Sequence, residues 1–133
     1  MKRALSAVLL LAAVSFAVTA VSAEKMEMKA EKKPVTLKGE LVETGCYIGH
    51  GEMGEKHKEC ATKCIAGGSP MGLLSGKTLY LITLNHDNPD AYNKLKDMAG
   101  QMVEVTGMVD ERNGVKAIDV TDAKAVASAA AAK

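Results

Sequence analysis

Three cysteines and two of the three histidines fall within 19 residues, from Cys46 to Cys64. The donors there are Cys46, His50, His57, Cys60 and Cys64. The stretch continues through Ile65 and Ala66 to Gly67-Gly68-Ser69-Pro70. Thiolate and imidazole are the side chains that hold soft and borderline metals, and thiols in pairs can also oxidise to disulfides. A Cys3His set suits tetrahedral Zn²⁺, and a thiolate-rich site with methionine nearby suits Cu(I). The spacing is not that of a zinc finger, of covalent haem attachment or of a thioredoxin-type Cys-x-x-Cys.

Four glycines between Gly45 and Gly54 predict an irregular loop over 46–54. Glu55 to Ala66 then reads as a helix stopped by Gly67-Gly68. On that helix His57, Cys60 and Cys64 stand at i, i+3 and i+7, an arc of about 60° at about 100° per residue. One imidazole and two thiols therefore share a stripe flanked by Ala61 and Ile65, and the loop can fold Cys46 over it. The expected ligands are Cys46, His57, Cys60 and Cys64, with His50 as the replacement. Lys56, Lys58 and Lys63 are expected to lower the thiol pKa values.

Two further uses of the same residues stand beside metal binding. Cys46 bonded to Cys60 or Cys64 would pin loop to helix, worth about 3 kcal/mol in the chain-entropy model, and would leave one thiol over. A thiol–disulfide redox role would need an exposed thiolate with a resolving partner. Elsewhere, Met53 and Met71 read as gap-filling residues, Tyr47 as packing over the insertion, and His86 as part of a polar turn. Asp110-Glu111-Arg112 reads as a solvated turn. Met26 and Met28 form a Met-x-Met pair of the kind that can touch Cu(I).

The elements that must position this segment follow from periodicity. Val35, Leu37, Gly39 and Leu41 alternate with polar residues as a half-buried strand, and Gly39 implies a bulge or bend. A short strand is expected at Met71 to Leu74, and a third, buried on both sides or nearly so, at Thr78 to Thr83. Asn88 is expected to cap a helix with Pro89 in its first turn, Ala91, Leu95 and Met98 as its stripe and Gly100 as its stop. Val103, Val105, Gly107 and Val109 alternate again. Asn113-Gly114 then turns the chain into a last strand, Val115 to Val120. Five strands with a helix between the third and fourth are the layout of an OB-type Greek-key barrel, with the Cys/His segment inserted after strand 1. A small α+β sandwich is the rival arrangement.

The run Gly100-Gln101-Met102-Val103-Glu104-Val105-Thr106-Gly107, continuing to Val120, resembles the closing hairpin of small exported bacterial OB-fold proteins. The likeness covers roughly residues 77–121 and implies the barrel without implying an activity. The Cys–His stretch, ending in Gly68-Ser69-Pro70-Met71-Gly72-Leu73, is similar to one found in uncharacterised exported bacterial proteins. It likewise brings no activity with it.

Residues 1–23 have the layout of a secretory signal peptide. Lys2 and Arg3 precede an uncharged stretch that closes with Val21-Ser22-Ala23. Export to the periplasm or beyond places the cysteines in an oxidising compartment, and cleavage leaves no stable membrane insertion. Residues 24–33 read as a flexible linker, 34–122 as the OB-like domain with its insertion at 45–70, and 123–133 as an Ala-rich tail.

The whole chain of 133 residues carries a net charge of +1, and its aromatics are Phe16, Tyr47, Tyr80 and Tyr92. Neither value fits a nucleic-acid partner, which would need a basic face or stacking rings. No nucleotide loop, nucleophile elbow or paired-carboxylate site is present, so a non-enzymatic role is expected. The leading expectation is a small metal-binding carrier, sensor or scavenger, with copper or zinc as cofactor and a metal ion or a periplasmic protein as partner. An OB-fold interaction module with a structural disulfide is the alternative, and a thiol–disulfide protein the third.

Overall fold

The computed structural model describes residues 32–127. The signal peptide, the Met26–Met28 pair and the end of the Ala-rich tail lie outside the described residues. Five strands, β1 (Val35–Glu43), β2 (Met71–Ser75), β3 (Thr78–Leu84), β4 (Met102–Arg112) and β5 (Val115–Ala125), close a barrel in the order β1-β2-β3-β5-β4. Three short helices accompany them: α1 (Thr44–His50), α2 (Lys58–Ala66) and α3 (Asp90–Leu95). The fold is thus mainly β, and its strand order is consistent with an OB-type barrel.

Closure depends on β1, which serves two neighbours. Val35 to Glu40 pair antiparallel with β4, and Glu40 to Glu43 pair antiparallel with β2. Gly39 sits just before this change of partner, where a Cβ would collide with the Leu74 carbonyl. The expected bend is therefore a close approach of two strands. β3 pairs parallel with β5, and β4 pairs antiparallel with β5 across the Asn113-Gly114 turn. Both turn residues have positive φ, 52° and 81°, which matches a type I′ hairpin.

Leu41, Met71, Leu73, Leu95, Val103, Val105, Ile118 and Val120 fill the interior. Ala61 and Ile65 of α2, and Ala91 and Leu95 of α3, join the same core. Small and branched side chains dominate because a narrow barrel holds few rings.

Several expectations need correction. β5 extends past Val120 to Ala125, with Ala123 buried opposite Val105, so the Ala-rich tail does not begin at 123. The long β4 supplies partners as far as Val103, and the small Ala123 fits inside. β3 is not buried on both sides; Ile82 is fully buried, Thr78 to Leu81 and Thr83 are half-buried, and Leu84 is exposed, because no layer covers the outer face completely. Pro89, not Asn88, is the residue before α3. The Asn85 side chain takes the Asp87 and Asn88 amides at 3.0 Å, while the Asn88 side chain donates to Thr121. His86 is exposed in that turn. Asp110, Glu111 and Arg112 belong to β4 and are exposed, Glu111 pairing with Lys116 at 2.7 Å.

Gly107 lies at a register shift in β4, and a Cβ there would collide with the Asp119 carbonyl. Since both atoms belong to paired backbone, neither can yield cheaply. Gly107→Ala should therefore lower unfolding free energy by about 1–3 kcal/mol, the usual cost of overpacking. Urea denaturation measures this, and an unchanged midpoint would contradict the close approach.

Candidate metal centre

The site forms where β1 leaves the barrel. Glu43, its last residue, is 3% exposed and ends the strand with a carboxylate in place of an apolar side chain. Its oxygens accept the amides of Gly45 at 2.9 Å and Cys46 at 2.6 Å. These are free donors of a helix first turn, and satisfying them starts α1 inside a stretch that its glycines had marked as a loop. Gly51, at φ 71°, closes the helix in the left-handed conformation. The loop expected from Cys46 onward is therefore helical as far as His50, and irregular only beyond it.

The second expected helix is also divided. Glu55–His57 forms a 3-10 turn, and α2 begins at Lys58. Ala61 and Ile65 turn α2 toward the core, so Cys60 and Cys64, each one position earlier, stand beside the buried stripe. Cys60 is exposed, whereas Cys46 and Cys64 are half-buried. All three are free thiols, so the expected Cys46 disulfide with Cys60 or Cys64 is not formed.

A sulfur each of Cys46 and Cys60 and a ring nitrogen of His57 lie within 4.8 Å of one another. Among the described residues, this is the cluster of three such donors near enough to share one ion. The His57 ring is 15% exposed; its Nδ1 is 3.8 Å from Glu52, and its Nε2 is buried without a hydrogen-bond partner. An unpartnered buried nitrogen is costly unless something else engages it. Cys64 is not part of the tight group but interacts with the thiols of Cys60 and Cys46. His50, exposed at the end of α1, does not join it. Met71 is core, and Met53 is 45% exposed beside the cleft that contains His57. Tyr47 is half-buried on α1.

Sequence reasoning missed Glu43. A carboxylate three residues before Cys46, at a strand end followed by Thr-Gly-Cys, was the available signal, but Glu is a less favoured cap than Asp or Ser. Burial opposes its charge, yet contacts from the Cys46 thiol and the amides of Cys46 and Gly45 hold its carboxyl below the ordinary range. The same contact acts on the thiol in reverse. Cys46 is pushed up to about 12, first by Glu43 and then by burial. Burial also raises Cys64, followed by its contact with Cys60.

The expected lowering by lysines is thus overturned for Cys46 and Cys64. Lys58 is drawn to Glu55 at 3.3 Å, and Lys56 and Lys63 are exposed to solvent. A surface groove of about 460 Å³ does run along the charged face of α2, lined by Glu55, Lys58, Glu59, Thr62 and Lys63. It contains none of the clustered donors, so it does not define the site.

No protein-family model, curated protein or solved structure gave a significant match to the chain. Among the described residues no helix is long and apolar enough to cross a membrane.

The two shifts have opposite consequences for stability. Glu43 stabilises the fold above its ordinary value of 4.5 and loses that contribution as pH falls below it. The Cys46 contribution is complete below 9.0 and is lost as pH rises toward about 12. In reduced, metal-free Cys60→Ser/Cys64→Ser protein, thiolate absorbance at 240 nm should appear only near pH 12. Adding Glu43→Gln should move that titration back toward 9. An unmoved titration would show that the carboxylate is not the cause.

Proposed function

We propose that the protein is a small exported metal-binding protein, an OB-type barrel that holds a soft or borderline ion at Cys46, His57 and Cys60. Copper and zinc are the metals that match two thiolates and one imidazole. The observation that carries this reading is the convergence of three donors from three separate elements, α1, the 3-10 turn and α2, to within 4.8 Å. Cys64, in contact with two of the thiols, is the fourth donor for a tetrahedral ion. The buried, partnerless His57 nitrogen supports a ring kept ready for such a ligand.

The role is that of a carrier, sensor or scavenger, with no catalysed reaction. Cys60 is exposed, so an incoming ligand can reach the ion and take it by exchange. The partner is then the metal itself or a periplasmic protein that gives or receives it. The resemblance of the hairpin and of the Cys–His stretch to exported bacterial proteins supports the location, as does the layout of residues 1–23.

Binding must displace thiol protons, so affinity should fall on acidification and loading should release protons at neutral pH. In chelator competition, Cys46→Ser and Cys60→Ser should each weaken Zn²⁺ or Cu(I) by more than about 100-fold. Cys64→Ser should cost about 10–100-fold, the range of a supporting ligand. His86→Ala should cost nothing. Wild-type affinity in both Cys46→Ser and Cys60→Ser would refute the site.

A further inference from the structure

We infer that the cluster is also a redox switch, in which Cys60 and Cys46 join in a disulfide that excludes the metal. This rests on the metal reading above for the reduced state. The two sulfurs already lie within 4.8 Å, on different elements. A disulfide needs about 2.05 Å between sulfurs, so side-chain rotation and any shift of the elements must close the remaining gap, and the more loosely held element is the one free to shift.

The packing indicates which one. Helix α2 is held to the core through Ala61 and Ile65, whereas α1 has no fully buried residue. Its glycines, Gly45 and Gly49, leave it no side chain to anchor at those positions, and its Ile48 is 69% exposed. α1 can therefore shift Cys46 toward a fixed Cys60. The competing pair, Cys60 and Cys64, shares one turn of α2, where a bond would strain the helix.

Exposure sets the order of events. Cys60 is exposed and meets an outside oxidant first, while Cys46 is half-buried. With a low-molecular-weight disulfide RSSR as oxidant, the Cys60 thiolate attacks one sulfur, forming a Cys60–SR mixed disulfide and expelling RS⁻. The Cys46 sulfur then attacks the Cys60 sulfur, closing the protein disulfide and expelling the second RS⁻. Two protein thiols lose two electrons and two protons, and one RSSR becomes two RSH. Cys46 and Cys60 are both consumed, so an ion held there loses two of its four donors and leaves.

The test uses reduced, metal-free full-chain protein incubated with oxidised glutathione, quenched by alkylation and mapped by peptide mass. The expected product has a Cys46–Cys60 bond with Cys64 alkylated, and Cys64→Ser protein should oxidise in the same way. Its affinity for Zn²⁺ should fall at least about 100-fold and return on adding dithiothreitol, since two of the three thiolate ligands are lost. A Cys60–Cys64 bond, a mixed disulfide that never resolves, or an oxidised protein that binds Zn²⁺ as the reduced one does would each overturn the switch. If the Cys46–Cys60 bond forms but the reduced protein binds neither Zn²⁺ nor Cu(I), the disulfide step stands and the metal reading falls.

Discussion

β1 hydrogen-bonds to β4 along its first half and to β2 along its second, and both pairings must hold for the sheet to close on itself. A strand in this position must let its second neighbour approach closely, and Gly39 stands against the Leu74 carbonyl with no space for a Cβ. Leu41 and Glu43 follow Gly39 on the buried face, so the last inward position of the strand falls at the mouth of the barrel. An apolar residue there would complete the core. Glu43 instead brings a carboxylate to a place where it must find donors.

It finds them in the chain that follows. The amides of Gly45 and Cys46 satisfy the carboxylate, and in doing so the carboxylate turns a glycine-rich segment into the first turn of α1. The position of Cys46 is thus a consequence of hydrogen-bond accounting at the end of β1. On the other side, the apolar pair Ala61 and Ile65 turns α2 into the core and leaves Cys60 and Cys64 at its margin. Two independent requirements, one polar and one apolar, bring the thiols together.

The carboxylate and the thiols of the cluster oppose one another's ionisation. The Glu43 carboxylate favours the protonated Cys46 thiol and is itself lowered by the hydrogen bonds it accepts, while burial and then the contact with Cys60 raise Cys64. A cation would favour the ionised thiols and the carboxylate together. Under the proposed function the negative surroundings that hold protons on the thiols would hold a metal in their place, at the cost of the protons it displaces.

Period-two alternation around Val35–Leu41 and Val103–Val109, the Asn113-Gly114 turn and the Ala91/Leu95 stripe were all visible as sequence, because each depends on neighbours close along the chain. So was the crowding of cysteine and histidine between Cys46 and Cys64. What depended on contacts between distant residues was not visible. The helix at Thr44–His50 needed the end of β1 to supply its cap, and β5 ran on to Ala125 because β4 had bonds left to share. The helical spacing of His57, Cys60 and Cys64 put all three on one stripe, whereas the close group joins His57 and Cys60 with Cys46. The spacing could not show that the ring sits on a 3-10 turn, that Cys46 comes within 4.8 Å of Cys60, or that Glu43 raises the Cys46 thiol. The residue types and their spacing were in the sequence; which three donors meet was decided by barrel closure, since only the tertiary fold brings the end of β1 against α2.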